Sequence, residues 1–148
     1  QHILSLLQQD STRTINEISE KVGLSATPCW RRIQALEAAK VITKRVVLAD
    51  PKLLNVNITV FVTIKTNQHN PNWLEKFATK IKAIPEVVEF YRMSGDVDYL
   101  LRVVVPDIAG YDAIYKKLIN SVDIYDVSSS FAMEQIKYTT ALPCHYAS

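Results

Sequence analysis

A three-residue turn between two helical patterns most strongly constrains the fold of the N-terminal third of the chain. Thr14 predicts a helix start, because its hydroxyl can cap the first turn while Glu17, three residues on, completes a capping box. Gly23 predicts the end of that helix, since glycine readily adopts the left-handed conformation found there. Ser25 predicts the cap of a second helix, Ala26 to Ala39. Two helices joined by so short a turn indicate a helix-turn-helix.

The segments on either side complete a small helical domain. Apolar residues at helical spacing near the N-terminus predict a bracing helix before the pair. Val41 to Ala49 is typical of a short strand or wing, which ends at the Asp50-Pro51 step. We therefore predict a winged helix-turn-helix domain over residues 1–50, followed by a linker over residues 51–57.

From residue 58 the pattern changes to apolar strands that alternate with amphipathic helices. Phe61 lies among the alternating apolar residues of the first strand, so we expect that strand to be covered on both faces. The order βαββαβ predicts a ferredoxin-like domain over residues 58–148, whose helices cover one sheet face and leave the other in need of a partner. The whole chain is thus of the α+β class. The predicted elements are, in order, a strand from Ile58, a helix Pro71 to Ile84, strands Val87 to Met93 and Tyr99 to Val105, a helix Ile108 to Val122 and a strand Asp126 to Tyr138.

The positive charge of the chain lies in its first third. The chain has 148 residues and a net charge of +2, with 17 basic and 15 acidic residues. Seven of the basic and five of the acidic residues lie within residues 1–50, so the small helical domain holds all of the excess. No apolar run approaches the roughly 18 residues that a membrane span needs, so we expect a soluble, cytoplasmic protein with no membrane partner.

The residues that enzymes and metal sites require are scattered. Three histidines lack metal-ligand spacing, the pair Cys144-His145 is not a zinc constellation, and three glycines provide no phosphate-cradling loop. We also expect Cys29 and Cys144 to be free thiols. The sequence therefore predicts neither a catalytic centre, nor a metal site, nor a cofactor.

The second helix of the pair has one face for the core. Cys29, Ile33 and Leu36 return to the same side at spacings of four and three, and we expect them to pack inward. Trp30 lies on the flank, where it either contacts DNA or packs against the domain. Arg32 lies near the edge of the inner stripe, where DNA contact and an intramolecular ion pair or capping contact are both open.

The opposite face of that helix offers groups that read DNA. Arg31 can bond a guanine edge or a phosphate, and Gln34 suits an adenine edge. Thr27 lies near the helix N-terminus, where free backbone donors favour phosphate. Three further basic residues are candidate phosphate anchors, which add affinity and salt dependence but little sequence choice: Arg13, Lys44 and Arg45.

Three segments resemble one known family and together cover nearly the whole chain. They are VGLSATPCWRRIQALEAAKVI, MSGDVDYLLRVVVPD and SSSFAMEQIKYTTALP. In this order they closely resemble the leucine-responsive and asparagine regulator (Lrp/AsnC, or feast/famine) family of bacterial transcription factors, and the last two look most like the branch linked to cysteine detoxification. The resemblance implies a DNA-reading domain, a wing-like linker and a ferredoxin-like domain that pairs sheet to sheet into dimers. It also implies that dimers assemble further, often into octamers, with a small amino acid bound between dimers.

The turn before the third strand is the candidate effector site. Gly95 permits close backbone approach, turn amides can bond a carboxylate, and Asp96 or Asp98 can hold an ammonium. The alternative is that this is only a turn, and that Ser128 to Ser130 is only a polar strand edge. Carried over position by position, the resemblance implies an effector pocket formed by Arg92, Gly95, Asp98, Tyr99, Ile108, Ser130 and Phe131.

These patterns favour a sequence-specific regulator of transcription whose assembly and binding to double-stranded DNA respond to a small amino acid. Family members vary at the positions of Ser130 and Phe131, so leucine, methionine, cysteine or another small amino acid all stay open as the effector. The alternative is an architectural protein that wraps or bends DNA without an effector. A third class is a ferredoxin-like metabolite-binding or catalytic module with an incidental helical domain.

Overall fold

The computed structural model describes residues 1–121 and 126–147, and the chain divides into two compact units. The helical unit contains Gln1–Leu48 together with the C-terminal segment from Ile136 onward. The sheet unit contains Ala49–Gln135. By this division the chain beyond Gln135 belongs to the helical unit, whereas the predicted sheet domain extends to residue 148.

The helical unit has the predicted helix-turn-helix. Its helices are α1 (His2–Gln9), α2 (Ile15–Val22) and α3 (Ala26–Ala38). The capping box is confirmed, since the Glu17 N–H donates to Thr14 Oγ1 at 3.1 Å and the Thr14 N–H donates to Glu17 Oε2 at 3.4 Å. Gly23 takes the left-handed conformation at φ 71°, which ends α2 as predicted.

Two local predictions in this unit need correction. Ser25 occupies the N-cap position of α3, but its side chain makes no capping hydrogen bond. Val41 to Ala49 does not form the predicted strand in the part of the chain that the structure describes. The N–H groups of Val41 and Ile42 donate to Leu36 O at 3.0 and 3.1 Å and close the end of α3, and no described strand pairs with the residues that follow. A strand is assigned by its backbone partner, which a segment rich in β-branched residues does not supply by itself.

The core of the helical unit draws on all three helices, so α1 braces the other two. Its buried residues are Ile3, Leu6, Leu7, Ile18, Cys29 and Ile33.

The sheet unit has the predicted βαββαβ order. Its elements are β1 (Ile58–Lys65), α4 (Pro71–Lys82), β2 (Val87–Arg92), β3 (Tyr99–Val105), α5 (Ile108–Ser121) and β4 (Asp126–Phe131). The four strands form an antiparallel sheet in the order β2-β3-β1-β4. The main correction is β4, which ends at Phe131 instead of the predicted Tyr138. The predicted end of α5 at Val122 lies outside the described residues.

One face of the sheet is buried under α4 and α5. Val60 and Val62 of β1 pack there with Phe77 of α4 and Leu118 of α5, all with side chains fully removed from solvent. Phe61 points to the other face and is 40% exposed, so the expectation that β1 is covered on both faces is wrong for the single chain. The prediction of one exposed sheet face is confirmed.

Among the described residues, no helix combines the length and the apolar character needed to cross a membrane.

Candidate DNA and effector sites

The inner stripe of α3 is buried as predicted. Cys29 is fully buried, Ile33 is nearly so, and Leu36 packs against the same cluster. Because this stripe holds one side of α3 against α1 and α2, the rotation of the helix about its axis is fixed. The residues on its opposite side are therefore presented to solvent together.

Three residues predicted to contact DNA lie on that exposed side of α3: Thr27, Arg31 and Gln34. Trp30 is 49% exposed, so it is not part of the core and presents about half of its indole to solvent. An exposed helix face with an arginine, a glutamine and an aromatic side chain can enter a major groove and contact base edges.

Arg32 is exposed on another side of α3. It lines an open pocket of about 350 Å³ on the helical unit. The other residues around the pocket are Gln1, His2, Ile3, Val22, Ala35 and Leu36. Arg32 forms no ion pair within the described ranges 1–121 and 126–147, so the predicted intramolecular partner is not found there.

The three candidate phosphate anchors differ in their surroundings. Lys44 is exposed, whereas Arg45 forms an ion pair with Glu37 at 3.2 Å, near the end of α3. Both partners of this pair are about 40% exposed, so the pair is weak and Arg45 can exchange Glu37 for a phosphate at little cost. Arg13 is half-buried, and its Nε has no hydrogen-bond partner among the described residues.

The turn between β2 and β3 is held by Asp98. The Met93 N–H donates to Asp98 O at 2.8 Å, which closes the turn around Gly95 at φ 105°. The Asp98 N–H donates to Ile64 O at 3.0 Å, and Asp98 Oδ2 accepts from the Thr66 N–H at 2.8 Å. Sequence reasoning missed these bonds, which join the turn to the end of β1.

Two further predicted effector residues lie at the same end of the sheet. Arg92 is exposed at the end of β2, whereas Tyr99 is buried on the helix-covered face. The Tyr99 ring lies 5.1 Å from Phe77 and 5.7 Å from Phe90, centroid to centroid. Burial raises the pKa of Tyr99, with Arg92 nearby acting in the opposite direction. Tyr99 therefore packs behind the turn and supports it.

The other predicted effector residues lie at the opposite end of the sheet. Tyr99 of β3 pairs with Ile64 near the end of β1, whereas Phe131 of β4 pairs with Val60 near the start of β1. Ile108 begins α5 just beyond the far end of β3. Val60 and Ile64 are four residues apart on β1, so Phe131 and Tyr99 are offset by about 13 Å along the strands at 3.3 Å per residue, with β1 lying between β3 and β4. A single chain therefore divides the predicted residues into a turn group (Arg92, Gly95, Asp98, Tyr99) and an edge group (Ile108, Ser130, Phe131).

Within the edge group, neighbouring residues of β4 point to opposite sheet faces. Phe131 packs edge-on against Tyr111 of α5, with ring centroids 5.5 Å apart, and the Tyr111 hydroxyl hydrogen-bonds the Ser129 hydroxyl. Burial raises the pKa of Tyr111, and the bond to Ser129 opposes this shift. Ser130 pairs with Phe61 on the open face. Tyr111 and Ser129 were missed as neighbours of this site, although Ser129 shares the strand alternation of Phe131.

Together, a helix-turn-helix with an exposed polar reading face and a separate αβ domain define a DNA-binding transcriptional regulator. Two family models match the chain in this arrangement: winged helix-turn-helix DNA-binding over residues 1–43, and the Lrp/AsnC ligand binding domain over residues 59–142. The chain belongs to the Lrp/AsnC family of transcriptional regulators, which confirms the family and fold class predicted from sequence.

Similar proteins agree with this assignment. The glutamate uptake regulatory protein of Zymomonas mobilis is 52% identical over 141 residues, which are 95% of this chain and 86% of that protein. The transcriptional activator DecR of Escherichia coli is 49% identical over 142 residues, which are 95% of this chain and 93% of that protein.

Solved structures share the fold of the whole chain. An AsnC family transcriptional regulator from Agrobacterium tumefaciens is 60% identical with a TM-score of 0.95, covering 99% of this chain and 95% of that one. A transcriptional regulator from Neisseria meningitidis, solved in complex with L-Met, is 31% identical with a TM-score of 0.92, covering 98% of this chain and 94% of that one.

Proposed function

We propose that this regulator binds a small amino acid at a site built from two copies of the chain, and that this binding changes its assembly and its affinity for DNA. The observation that carries the proposal is the strand register, which offsets the turn group from Ser130 and Phe131 along the sheet and places β1 between them. Neither group alone surrounds a ligand, so a closed pocket needs the turn group of one copy and the edge group of another. The L-Met complex of the relative from Neisseria meningitidis supports an amino acid as the ligand.

The two groups offer complementary chemistry to a free amino acid. In the turn group, Asp98 provides a carboxylate for the ammonium, while Arg92 and the amides around Gly95 provide donors for the carboxylate. In the edge group, Ile108 and Phe131 provide exposed apolar surface for the ligand side chain. We propose that Ser130 and Phe131 set the choice between methionine, cysteine, leucine and similar ligands.

The assembly we propose uses two different surfaces. On the open sheet face, Phe61 and Tyr91 are exposed beside an ion pair of 3.1 Å between Arg102 and Glu89. This face is suited to pairing with the same face of a second copy. The effector site lies at the two ends of the sheet and joins such dimers to each other. Closed rings result when both contacts are satisfied, and we propose the octamer as the ring.

The DNA interface we propose is the exposed face of α3 with its basic surroundings. Arg31 and Gln34 contact base edges, Thr27, Trp30 and Arg32 contact the groove walls or phosphates, and the remaining cations contact phosphates: Arg13, Lys44 and Arg45. Because a copy has a net charge of only +2, affinity comes from several copies that engage one DNA molecule together. In this proposal residues 1–50 bind DNA, residues 51–57 link, and the sheet domain binds effector and assembles without catalysing a reaction. A regulator of this kind works in the bacterial cytoplasm, associated with the nucleoid.

The proposal is tested by thermal unfolding of the full chain with each of methionine, cysteine, leucine and glutamate, followed by gel-shift titrations with and without the amino acids that stabilise it. A ligand that binds only the folded chain raises the unfolding temperature, and we expect at least one to do so and to change DNA affinity. If DNA binds tightly and no amino acid changes either quantity, the protein is an architectural DNA-binding protein and the effector proposal is wrong.

A further inference from the structure

Residues 136–147 belong to the helical unit and not to the sheet unit. β4 ends at Phe131, and from Ile136 onward the chain packs with the N-terminal helices. We call residues 136–147 the C-terminal strap. The family models divide the chain differently, because the ligand-binding model extends to residue 142 and the DNA-binding model ends at residue 43.

Side-chain amides of α1 hold the strap. Gln8 Nε2 donates to Leu142 O at 2.9 Å, and the Leu142 N–H donates to Gln8 Oε1 at 2.7 Å, so a single side chain pairs with both backbone groups of one residue. Gln8 Nε2 also lies 3.4 Å from Cys144 Sγ. At the other end of the helix, Gln1 Nε2 donates to Ala147 O at 3.0 Å.

These bonds support a helix that has little support of its own. α1 has eight described residues, and its last turn contains no basic residue that favours the helix dipole. So short a helix is marginal in isolation. The strap binds both of its ends, at Gln1 and Gln8. Since α1 packs against Cys29 and Ile33 of α3, support for α1 is also support for the helix that reads DNA.

The strap is bound in a way that permits release. Its large apolar side chains stay in solvent, with Ile136 89%, Leu142 75% and Tyr146 83% exposed. Little apolar surface is therefore buried when the strap docks, and a few hydrogen bonds decide whether it stays. Segments held in this way open at low free energy compared with the core.

We propose that the C-terminal strap is a releasable part of the DNA-binding unit. Docked on α1, it holds α3 in the arrangement that binds DNA. Released, it leaves α1 with unsupported ends and lowers the affinity for DNA.

The test compares Gln8→Leu with Gln9→Leu in the full chain. Leucine keeps helix propensity but removes the donor and the acceptor that hold Leu142, whereas Gln9 is exposed and the same substitution there is the matched control. Strap release is measured by the rate at which 5,5′-dithiobis(2-nitrobenzoate) labels Cys144. Cys29, which is fully buried, reports whether the core stays folded. DNA affinity is measured at fixed salt with a duplex that the unsubstituted protein selects from a random-sequence library.

For Gln8→Leu we expect about tenfold faster labelling of Cys144 and a similar loss of DNA affinity, because two modest hydrogen bonds are lost. Gln9→Leu should change neither. If Cys144 labelling is unchanged in Gln8→Leu, or if it accelerates while DNA affinity stays the same, the proposal is overturned. Leu142→Pro, which removes the strap N–H and leaves α1 intact, must repeat the result. Exposure of Cys29 in both variants would also overturn the proposal, because the strap would then be an obligatory part of the core.

Discussion

Substitutions at Asp98 separate a structural role from a binding role within one carboxylate. Asp98 Oδ2 accepts the Thr66 N–H at 2.8 Å in a partly buried setting. Asp98→Ala removes this bond, for which we expect a loss of about 1–3 kcal/mol. In a sheet unit of this size each kcal/mol lowers the unfolding temperature by about 4–8 °C. Asp98→Asn keeps an oxygen that accepts the same N–H, so its unfolding temperature should stay close to that of the unsubstituted protein.

The binding role should respond to charge alone. If Asp98 holds the ammonium of the effector, both Asp98→Asn and Asp98→Ala lose a charge-assisted hydrogen bond of about 1.5–3 kcal/mol, which is about 10- to 150-fold in affinity. Isothermal calorimetry with the amino acid that most raises the unfolding temperature measures this loss. Asp96→Asn removes the neighbouring exposed charge and is the control. Full affinity in Asp98→Asn would refute the binding role, and an unchanged unfolding temperature in Asp98→Ala would refute the structural one.

Three further predictions concern the two units separately. Arg31→Ala should weaken DNA binding by about 1–3 kcal/mol per lost base contact without changing the unfolding temperature. Lys21→Ala removes another exposed cation and should weaken DNA binding less. Equal DNA affinities of the two variants in anisotropy titrations would refute the base-reading role of Arg31. Thr14→Ala should lower the free energy of unfolding by about 1 kcal/mol in urea, because the Glu17 N–H loses its cap, and an unchanged urea midpoint would contradict this. Since burial raises the pKa of Tyr111, the neutral phenol stabilises the fold below the unfolded pKa near 10, and that stability is lost as pH rises above it. Thermal unfolding from pH 8 to 11 should show a smaller alkaline loss in Tyr111→Phe, and identical pH profiles would show that Tyr111 does not contribute.

Features set by neighbouring residues were predictable from the sequence. The Thr14 capping box, the left-handed Gly23 and the buried stripe through Cys29 and Ile33 depend on contacts within a few residues. The order of strands and helices followed from the change of apolar spacing after residue 57. These local patterns were enough to define both the helix-turn-helix and the α+β class.

Features that depend on distant parts of the chain were not predictable. Val41 to Ala49 is rich in β-branched residues but has no described strand paired with it, and the segment beyond Phe131 contacts α1, more than 120 residues away in sequence. Asp98 looked like a residue of an isolated turn because its partner Thr66 comes from another strand. For the same reason, only the strand register revealed that the predicted effector residues lie at two ends of the sheet.

The central claim is that two copies of the chain complete one effector site, and complementation between two defective variants tests it most directly. Asp98→Asn damages the turn group and Phe131→Ala damages the edge group, so each alone should bind the effector at least about tenfold more weakly by calorimetry. When the two variants are unfolded and refolded together, a site between copies restores binding at about a quarter of the sites, because only the pairing of an intact turn with an intact edge is competent. A mixture that binds no more effector than either variant alone would contradict the account.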